Sequence, residues 1–297
     1  MAKICVVGAV SVDLIGISKG DLIPNDSNIG AIRLSCGGVA RNIAENLYRL
    51  QSDVCLISPV GNGGLSKIVR EHLENMGIRH YLIVKDGMST CCYLAAHDNA
   101  GQLISGINDF QLADSLLPED LFLYEAIIEQ SDFLVIDCNL SEFMLSYLLK
   151  KFQSKKIFVD GVSQTKVIRI KNLLSYIDLL KVNHKELEAL LDKQYSDPAK
   201  AIKDLLDQGV GTVVTTNKEK PVYYNIQNKI MHTQVLEPRY TISSVGAGDG
   251  LMSGVIFGLT NGKDMTYSIE LGKKIAALTM ETELACNPTL DKTILEA

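Results

Sequence analysis

The stretch Ser244-Val245-Gly246-Ala247-Gly248-Asp249-Gly250-Leu251-Met252-Ser253-Gly254 decides how this chain is read. Two glycines and an alanine lead into an aspartate. Apolar residues then recur at Leu251, Met252, Val255, Ile256 and Leu259, the spacing of a buried helix. A glycine turn that opens a helix leaves several backbone N–H groups unpaired at the positive end of the helix dipole, which makes an anion site. A carboxylate on the edge of such a site would repel a resting phosphate. Asp249 therefore reads as a base that takes the proton of an alcohol while the N–H groups hold the charge of a phosphoryl group in flight. An ordinary helix N-cap with Asp in the first turn fits the same residues.

Working outward, short β-branched runs alternate with helical patterns. Ile4–Val7, Val54–Ile57, Phe133–Ile136, Lys156–Val159, Leu179–Val182 and Thr212–Thr215 are expected as buried strands. Helices are expected near 38–50, 64–76, 141–151, 166–175, 185–192, 198–208, 248–260 and 265–283. Continuous apolar strands alternating with helices predict an α/β fold with a mostly parallel sheet covered on both faces. Segments 9–35 and 89–110 break the rhythm with alternating patterns and turns; Cys91–Ala96, Asp98–Gly101 and Gln102–Ile107 read as a hairpin. These excursions are expected to pair into a small antiparallel sheet, a lid over the C-terminal strand edges that excludes water. Without repeats, low-complexity tracts or Pro/Ser-rich linkers, residues 1–297 are expected to form one compact unit with a lid.

The net charge of −6 with no basic run argues against broad binding to nucleic acid or a membrane surface. No apolar run approaches a bilayer span, and the N-terminus enters a strand at once without a signal-peptide pattern, so a soluble cytoplasmic protein is expected. The seven cysteines show no CxxC spacing and lie far from the five histidines, which predicts buried reduced thiols and no zinc.

Four further places carry candidate site residues. In Cys36–Leu50 a stripe of Val39, Ile43, Leu47 and Leu50 predicts a helix with Gly37 and Gly38 at its mouth and Asn42 one turn in. The glycines let a ligand approach the backbone and Asn42 can bind hydroxyls, although tight helix–strand packing also explains the glycines. Asp13, just beyond the first strand, can accept from vicinal hydroxyls or stand as a surface charge. Asn183 and Glu186 share a helix face and could organise water around Mg²⁺; a capping arrangement fits equally. Thr215 and Asn217 follow another strand, where they could touch nucleotide phosphates. Neither a Walker A pattern nor a GxGxxG follows any strand, and no Ser-His-Asp elbow is visible.

Taken together and in this order, these features resemble the PfkB (ribokinase-like) family of carbohydrate and nucleoside kinases, over essentially the whole chain. Gly37-Gly-Val-Ala-Arg-Asn42 is similar to the family's N-terminal signature, Gly246-Ala-Gly-Asp249 to its C-terminal one, and Asn183–Glu186 to its NxxE element. The resemblance implies a Rossmann-type αβα sandwich with a β-lid often used for homodimerisation. It implies ATP as donor, Asp249 as catalytic base, and an anion hole of Gly246, Ala247 and Gly248. Glu186 with Asn183 would serve Mg²⁺ and phosphate, and Asp13, Gly38 and Asn42 would hold sugar hydroxyls. Within the family, Gly37–Leu47, Thr90-Cys-Cys-Tyr-Leu-Ala-Ala96, Ile107-Asn-Asp109, Asp137-Cys-Asn-Leu140 and Asp160-Gly-Val-Ser-Gln-Thr-Lys166 are similar to the pseudouridine kinases. That likeness would place Thr90, Asn108 and Asn139 near a nucleoside, and implies phosphorylation of a ribose 5′-hydroxyl.

Two departures stand out. Where the family commonly carries Asp-Thr at a monovalent-cation site, this chain has Ser243-Ser244 and then Val245, which leaves the K⁺ requirement open. Gly250-Leu251 replaces the usual Ala-Phe after the aspartate, which is expected to loosen the packing behind the anion hole. The rival readings are a kinase of ribose, a fructose phosphate or a purine nucleoside, and a ligand-binding pseudokinase. Lys166 and Arg41 are the basic residues near the motifs, and a sugar phosphate would need such a group in the pocket.

Overall fold

The computed structural model describes residues 1–295. In chain order its strands are β1 (Lys3–Val7), β2 (Ser11–Ser18), β3 (Gly30–Gly37), β4 (Asp53–Gly61), β5 (Arg79–Lys85), β6 (Cys92–His97), β7 (Leu103–Asp109), β8 (Phe133–Asp137), β9 (Lys156–Asp160), β10 (Leu179–Asn183), β11 (Thr212–Asn217), β12 (Lys220–Ile226) and β13 (Lys229–Thr233). The helices are α1 (Val39–Arg49), α2 (Gly64–Met76), three short pieces α3 (Gln111–Asp114), α4 (Pro118–Leu121) and α5 (Glu125–Glu129), then α6 (Glu142–Lys151), α7 (Gln164–Val167), α8 (His184–Leu191), α9 (Pro198–Asp207), α10 (Ala247–Thr260) and α11 (Met265–Met280).

A nine-stranded sheet runs β13-β12-β11-β10-β9-β8-β1-β4-β5, parallel from β11 through to β5, with β12 and β13 added antiparallel at one edge. All six strands expected from apolar runs are present in it. Their side chains alternate between two cores, as a sheet buried on both faces requires. Leu134, Ile136, Val159, Val182 and Val213 pack with Leu148 of α6, Leu187 of α8 and Ile202 of α9. Ile4, Val6, Leu56 and Val214 pack with Ile43 and Leu47 of α1, Val255 and Ile256 of α10, and Ile275 of α11.

Strands β5, β12 and β13 escape the apolar-run reading because they sit toward the edges and mix polar with apolar residues, as in Arg79-His80-Tyr81. The helix expected at 166–175 is instead α7 followed by two 3-10 turns, Ile168–Ile170 and Leu174–Tyr176. Its buried residues Val167, Ile170, Leu173 and Leu174 keep a three-residue spacing that a tighter helix serves as well as an α-helix does.

The second sheet runs β3-β2-β6-β7. It holds the hairpins expected from 9–35 and 89–110, but it is mixed: β2 pairs antiparallel with β3, and β6 antiparallel with β7, while β2 and β6 run parallel. In-register partners project to the same side of a sheet. One rung therefore places Asp13, Ser35, Tyr93 and Asn108 on one face, and the next places Leu14, Leu34, Leu94 and Ile107 on the other.

Candidate active site

Two helix N-termini meet at the C-terminal end of the main sheet. α1 begins after Gly38, whose φ of 95° belongs to the left-handed region, and a Cβ there would lie 2.3 Å from the Ala9 carbonyl oxygen. α10 begins after Gly246, also left-handed at φ 79°. In its first turn Ala247 N–H makes a long bond to the Ser244 carbonyl at 3.4 Å, and Gly250 N–H closes the first intrahelical bond to the Gly246 carbonyl at 2.8 Å; a helix N-terminus of this kind can bind an anion.

Between the two termini, Asn42 Nδ2 donates to Asp249 Oδ2 at 2.6 Å. Asp249 is 8% exposed, and the other amide atom, Asn42 Oδ1, is buried without a hydrogen-bond partner. Burial pushes the Asp249 carboxyl up to about 7, and the negative Asp160 adds to the rise against the opposing pull of Lys181, Asn42 and Arg41. A carboxylate tuned near neutrality suits a general base.

The surroundings are fixed by buried polar contacts. Asp137, at the end of β8, accepts from the N–H groups of Ala9 (3.1 Å), Ala40 (2.9 Å) and Asn139 (2.9 Å), tying β1, α1 and its own strand together. Burial raises its carboxyl to about 6. Asn139 is buried and its Oδ1 accepts from Lys166 Nζ at 2.5 Å; that ammonium also sits 3.9 Å from the centre of the Phe110 ring. The Thr90 hydroxyl accepts from Gly61 N–H at 3.0 Å. Arg41 turns away from Asp249: it pairs with Glu45 at 2.7 Å and donates to the carbonyls of Cys36 and Gly37, holding the turn that carries both signature glycines.

On the lid side, Asp13 accepts from Ser11 Oγ at 2.9 Å, and its carboxylate lies where a Cβ on Gly37 would fall, 2.2 Å away. Asn108 shares its face and rung, with Tyr93 between them.

On the opposite side, Asn183 caps α8. Its side chain accepts from Glu186 N–H at 3.0 Å while Glu186 Oε2 accepts from Asn183 N–H at 2.9 Å, so the capping arrangement is realised. Among the described residues no group of three or more His, Cys, Asp or Glu could cage a metal. A Mg²⁺ ion that keeps most of its waters and bridges substrate phosphates needs only a nearby carboxylate, and Glu186, already engaged by Asn183, fits contact through water. Thr215 and Asn217 line a cavity of about 290 Å³ with His184, Tyr195, Lys220 and Tyr223, and the buried Thr215 Oγ1 has no partner.

The packing behind the anion hole is not loosened by Gly250. Helix α11 closes in, so that a Cβ at Gly250 would meet Thr279 Oγ1 at 2.9 Å and Ile275 at 3.2 Å. Gly254 and Gly272 touch further along the same crossing.

The sequence reading gave no individual role to Asp137, Tyr93 or the pair Lys181 with Asp160. Lys181 interrupts the apolar run Leu179-Leu180-Lys181-Val182, and Asp160 ends the run Ile157-Phe158-Val159. A charge inside a run expected to be buried on both faces is the signal that could have found them.

Residues 1–292 match the model of the pfkB family of carbohydrate kinases. The chain belongs to that family. It is a sugar or nucleoside kinase, a class that implies use of ATP. It is 30% identical to a pseudouridine kinase of Escherichia coli (strain K12) over 97% of this chain and 93% of the relative. It is 31% identical to a guanosine-inosine kinase of Exiguobacterium acetylicum over 93% and 94%. Ribokinase from Thermotoga maritima superposes with a TM-score of 0.88 over 100% of this chain and 98% of that one, at 20% identity, and so shares the fold. No helix among the described residues is long and apolar enough to cross a membrane.

Proposed function

We propose that this kinase transfers the γ-phosphoryl group of ATP to the 5′-hydroxyl of a ribose-type acceptor, with pseudouridine as the preferred substrate. The observation that carries the reading is the Asn42–Asp249 contact at the mouth of two glycine-capped helices, with Asn42 Oδ1 left as a buried acceptor for a substrate hydroxyl. Asp13 and Asn42 hold the sugar hydroxyls, with Gly37 and Gly38 giving them room. Tyr93 and Asn108 face the base from the lid, and Thr90 and Asn139 set the wall beside it.

In the transfer, the acceptor oxygen attacks the γ-phosphorus as its proton passes to Asp249. The bond to the β-phosphate oxygen breaks and ADP leaves. The N–H groups at Gly246, Ala247 and Gly248 hold the charge that develops on the phosphoryl oxygens. Mg²⁺, when bound, neutralises phosphate charge; Glu186 would hold it through water, with Asn183, Thr215 and Asn217 toward the triphosphate.

The outer lid face, with Leu34, Leu94 and Ile107 exposed by 54%, 44% and 64%, is covered by the same face of a second copy.

ADP release with MgATP across pseudouridine, uridine, guanosine, ribose and fructose 6-phosphate tests the assignment. Turnover confined to pseudouridine supports it, and a preference for guanosine or ribose overturns the acceptor while keeping the kinase. The purine nucleoside reading draws on the likeness to the guanosine-inosine kinase. Arg41 points at Glu45, so of the two basic candidates Lys166, held on Asn139 Oδ1, is the one left beside the pocket for a sugar phosphate. Turnover is expected to be equal with and without K⁺, since Ser243, whose hydroxyl already accepts from Val245 N–H at 3.1 Å, brings no carboxylate.

A further inference from the structure

Lys181 lies mid-strand in β10 and is 8% exposed, a place that normally rejects an ammonium. It sits directly opposite Asp160 of β9 in the parallel register, and its Nζ is 3.0 Å from Asp160 Oδ2. The same Nζ abuts the first turn of α10: a Cβ on Gly248 would come within 2.7 Å of it. A Cβ at this second glycine of the turn would thus displace the lysine head that lies beneath it.

We infer that Lys181, held by Asp160, is a positioning residue for phosphoryl transfer, forming a charged floor under the Gly246–Asp249 turn that fixes the helix terminus and sets the charge at Asp249. The inference rests on the reading of Asp249 as the base. Around Asp249 stand Asp160 from β9, Lys181 from β10, Arg41 and Asn42 from α1, and Cys286 from the turn after α11; Glu186 of α8 lies in the field of Lys181. Burial works against the lysine's charge, but Asp160, Glu186 and Asp249 outweigh it and keep the ammonium protonated. Arg41 is the other cation in that set and is engaged by Glu45, so Lys181 is the cation that backs the turn.

A purely structural pair would tie β9 to β10 and nothing more. The two roles differ in what they do to the pH dependence of kcat. Removing the positive charge with Lys181→Met should move the acid limb of the profile upward by on the order of one pH unit, the usual effect of a charge lost at this range. Removing the negative charge with Asp160→Asn should move it downward. Lys181→Met/Asp160→Asn removes both buried charges, which avoids leaving either unpaired, and should bring the limb back toward its original place. On the alkaline plateau Lys181→Met should still lose about tenfold in kcat with a smaller change in KM for ATP, because the turn is no longer propped.

If Lys181→Met does not fold, the Asp160→Asn profile and the double variant decide alone. Opposite shifts of the two single variants, or a downward shift in Asp160→Asn reversed in the double variant, support the inference. Profiles that stay put while melting temperatures fall reduce the pair to a structural one and overturn it. Near-normal turnover in Asp249→Asn would remove the base assignment itself, a result separable from an unmoved limb in an enzyme that still depends on Asp249.

Discussion

The lid and the meeting of α1 with α10 are built to opposite plans. Every residue of β7 and the first five of β3 are exposed, whereas Asp249 through Gly258 are buried without interruption. Lid side chains line up through strand register, and a register can flex with the sheet. The side chains where the two helices meet are fixed by close glycine contacts and buried carboxylates such as Asp137. On the proposed reading, proton and phosphoryl chemistry falls to the buried part and choice of acceptor to the exposed sheet.

The sharpest way to break that division is Asp249→Asn. The amide can still accept from Asn42, so the fold and acceptor binding should persist while kcat falls by ~10²–10⁴-fold, the range for loss of a general base. Near-normal kcat would remove the chemistry from the rigid part.

A second strike falls on the outer lid face. Leu94→Asp places a carboxylate in the middle of the row Leu34, Leu14, Leu94 and Ile107. If a second copy covers that row, self-association measured by sedimentation should weaken by roughly 100-fold or more, because the charge would be buried unpaired. A wild-type protein that sediments as a monomer at every concentration would leave the row uncovered and defeat the dimer reading.

The inner lid face should respond differently. Asn108→Ala and Tyr93→Phe are expected to raise KM for the acceptor by about tenfold and to leave kcat within about threefold, the signature of lost uniform binding. A fall in kcat with unchanged KM would mean that the lid takes part in the chemistry, and the division between the two regions would fail.

What the sequence disclosed follows the same division. The helix termini were legible because Gly-Gly and Gly-Ala-Gly-Asp announce turns whose backbone geometry few other residues can adopt, and because an apolar period follows each. Asn183 with Glu186 was legible as two chemistries at once, and the structure realises the cap while leaving the metal role to proposal. The lid was legible as strands, but the parallel pairing of β2 with β6 was not, since local alternation carries no information about which distant strand lies alongside. Tyr93, quoted within Thr90–Ala96, had no role of its own for the same reason: its place between Asp13 and Asn108 exists only once the register is known. Lys181 was visible as a charge in an apolar run, yet its meaning depends on Asp160 and Gly248, residues 21 and 67 positions away.

The smallest expected effect bears on what the rigid region costs in stability. Asp249 titrates near 7 in the folded chain against an ordinary 3.8, so the native state binds its proton more tightly than the unfolded state does. Stability from this group is therefore complete below about pH 4 and is lost as pH rises through 7. The difference of about 3 pH units corresponds to roughly 4 kcal/mol at most, and neighbouring charges that readjust will reduce it. An asparagine carries no such penalty at any pH. Asp249→Asn should thus melt close to wild type at pH 4 and a few degrees higher at pH 8, on the scale of ~2–4 °C per kcal/mol for a chain approaching this size. A variant that gains nothing between pH 4 and 8 would mean that Asp249 is not held in a burial-raised state, and would remove the electrostatic ground for calling it a tuned base even if its loss still abolished turnover.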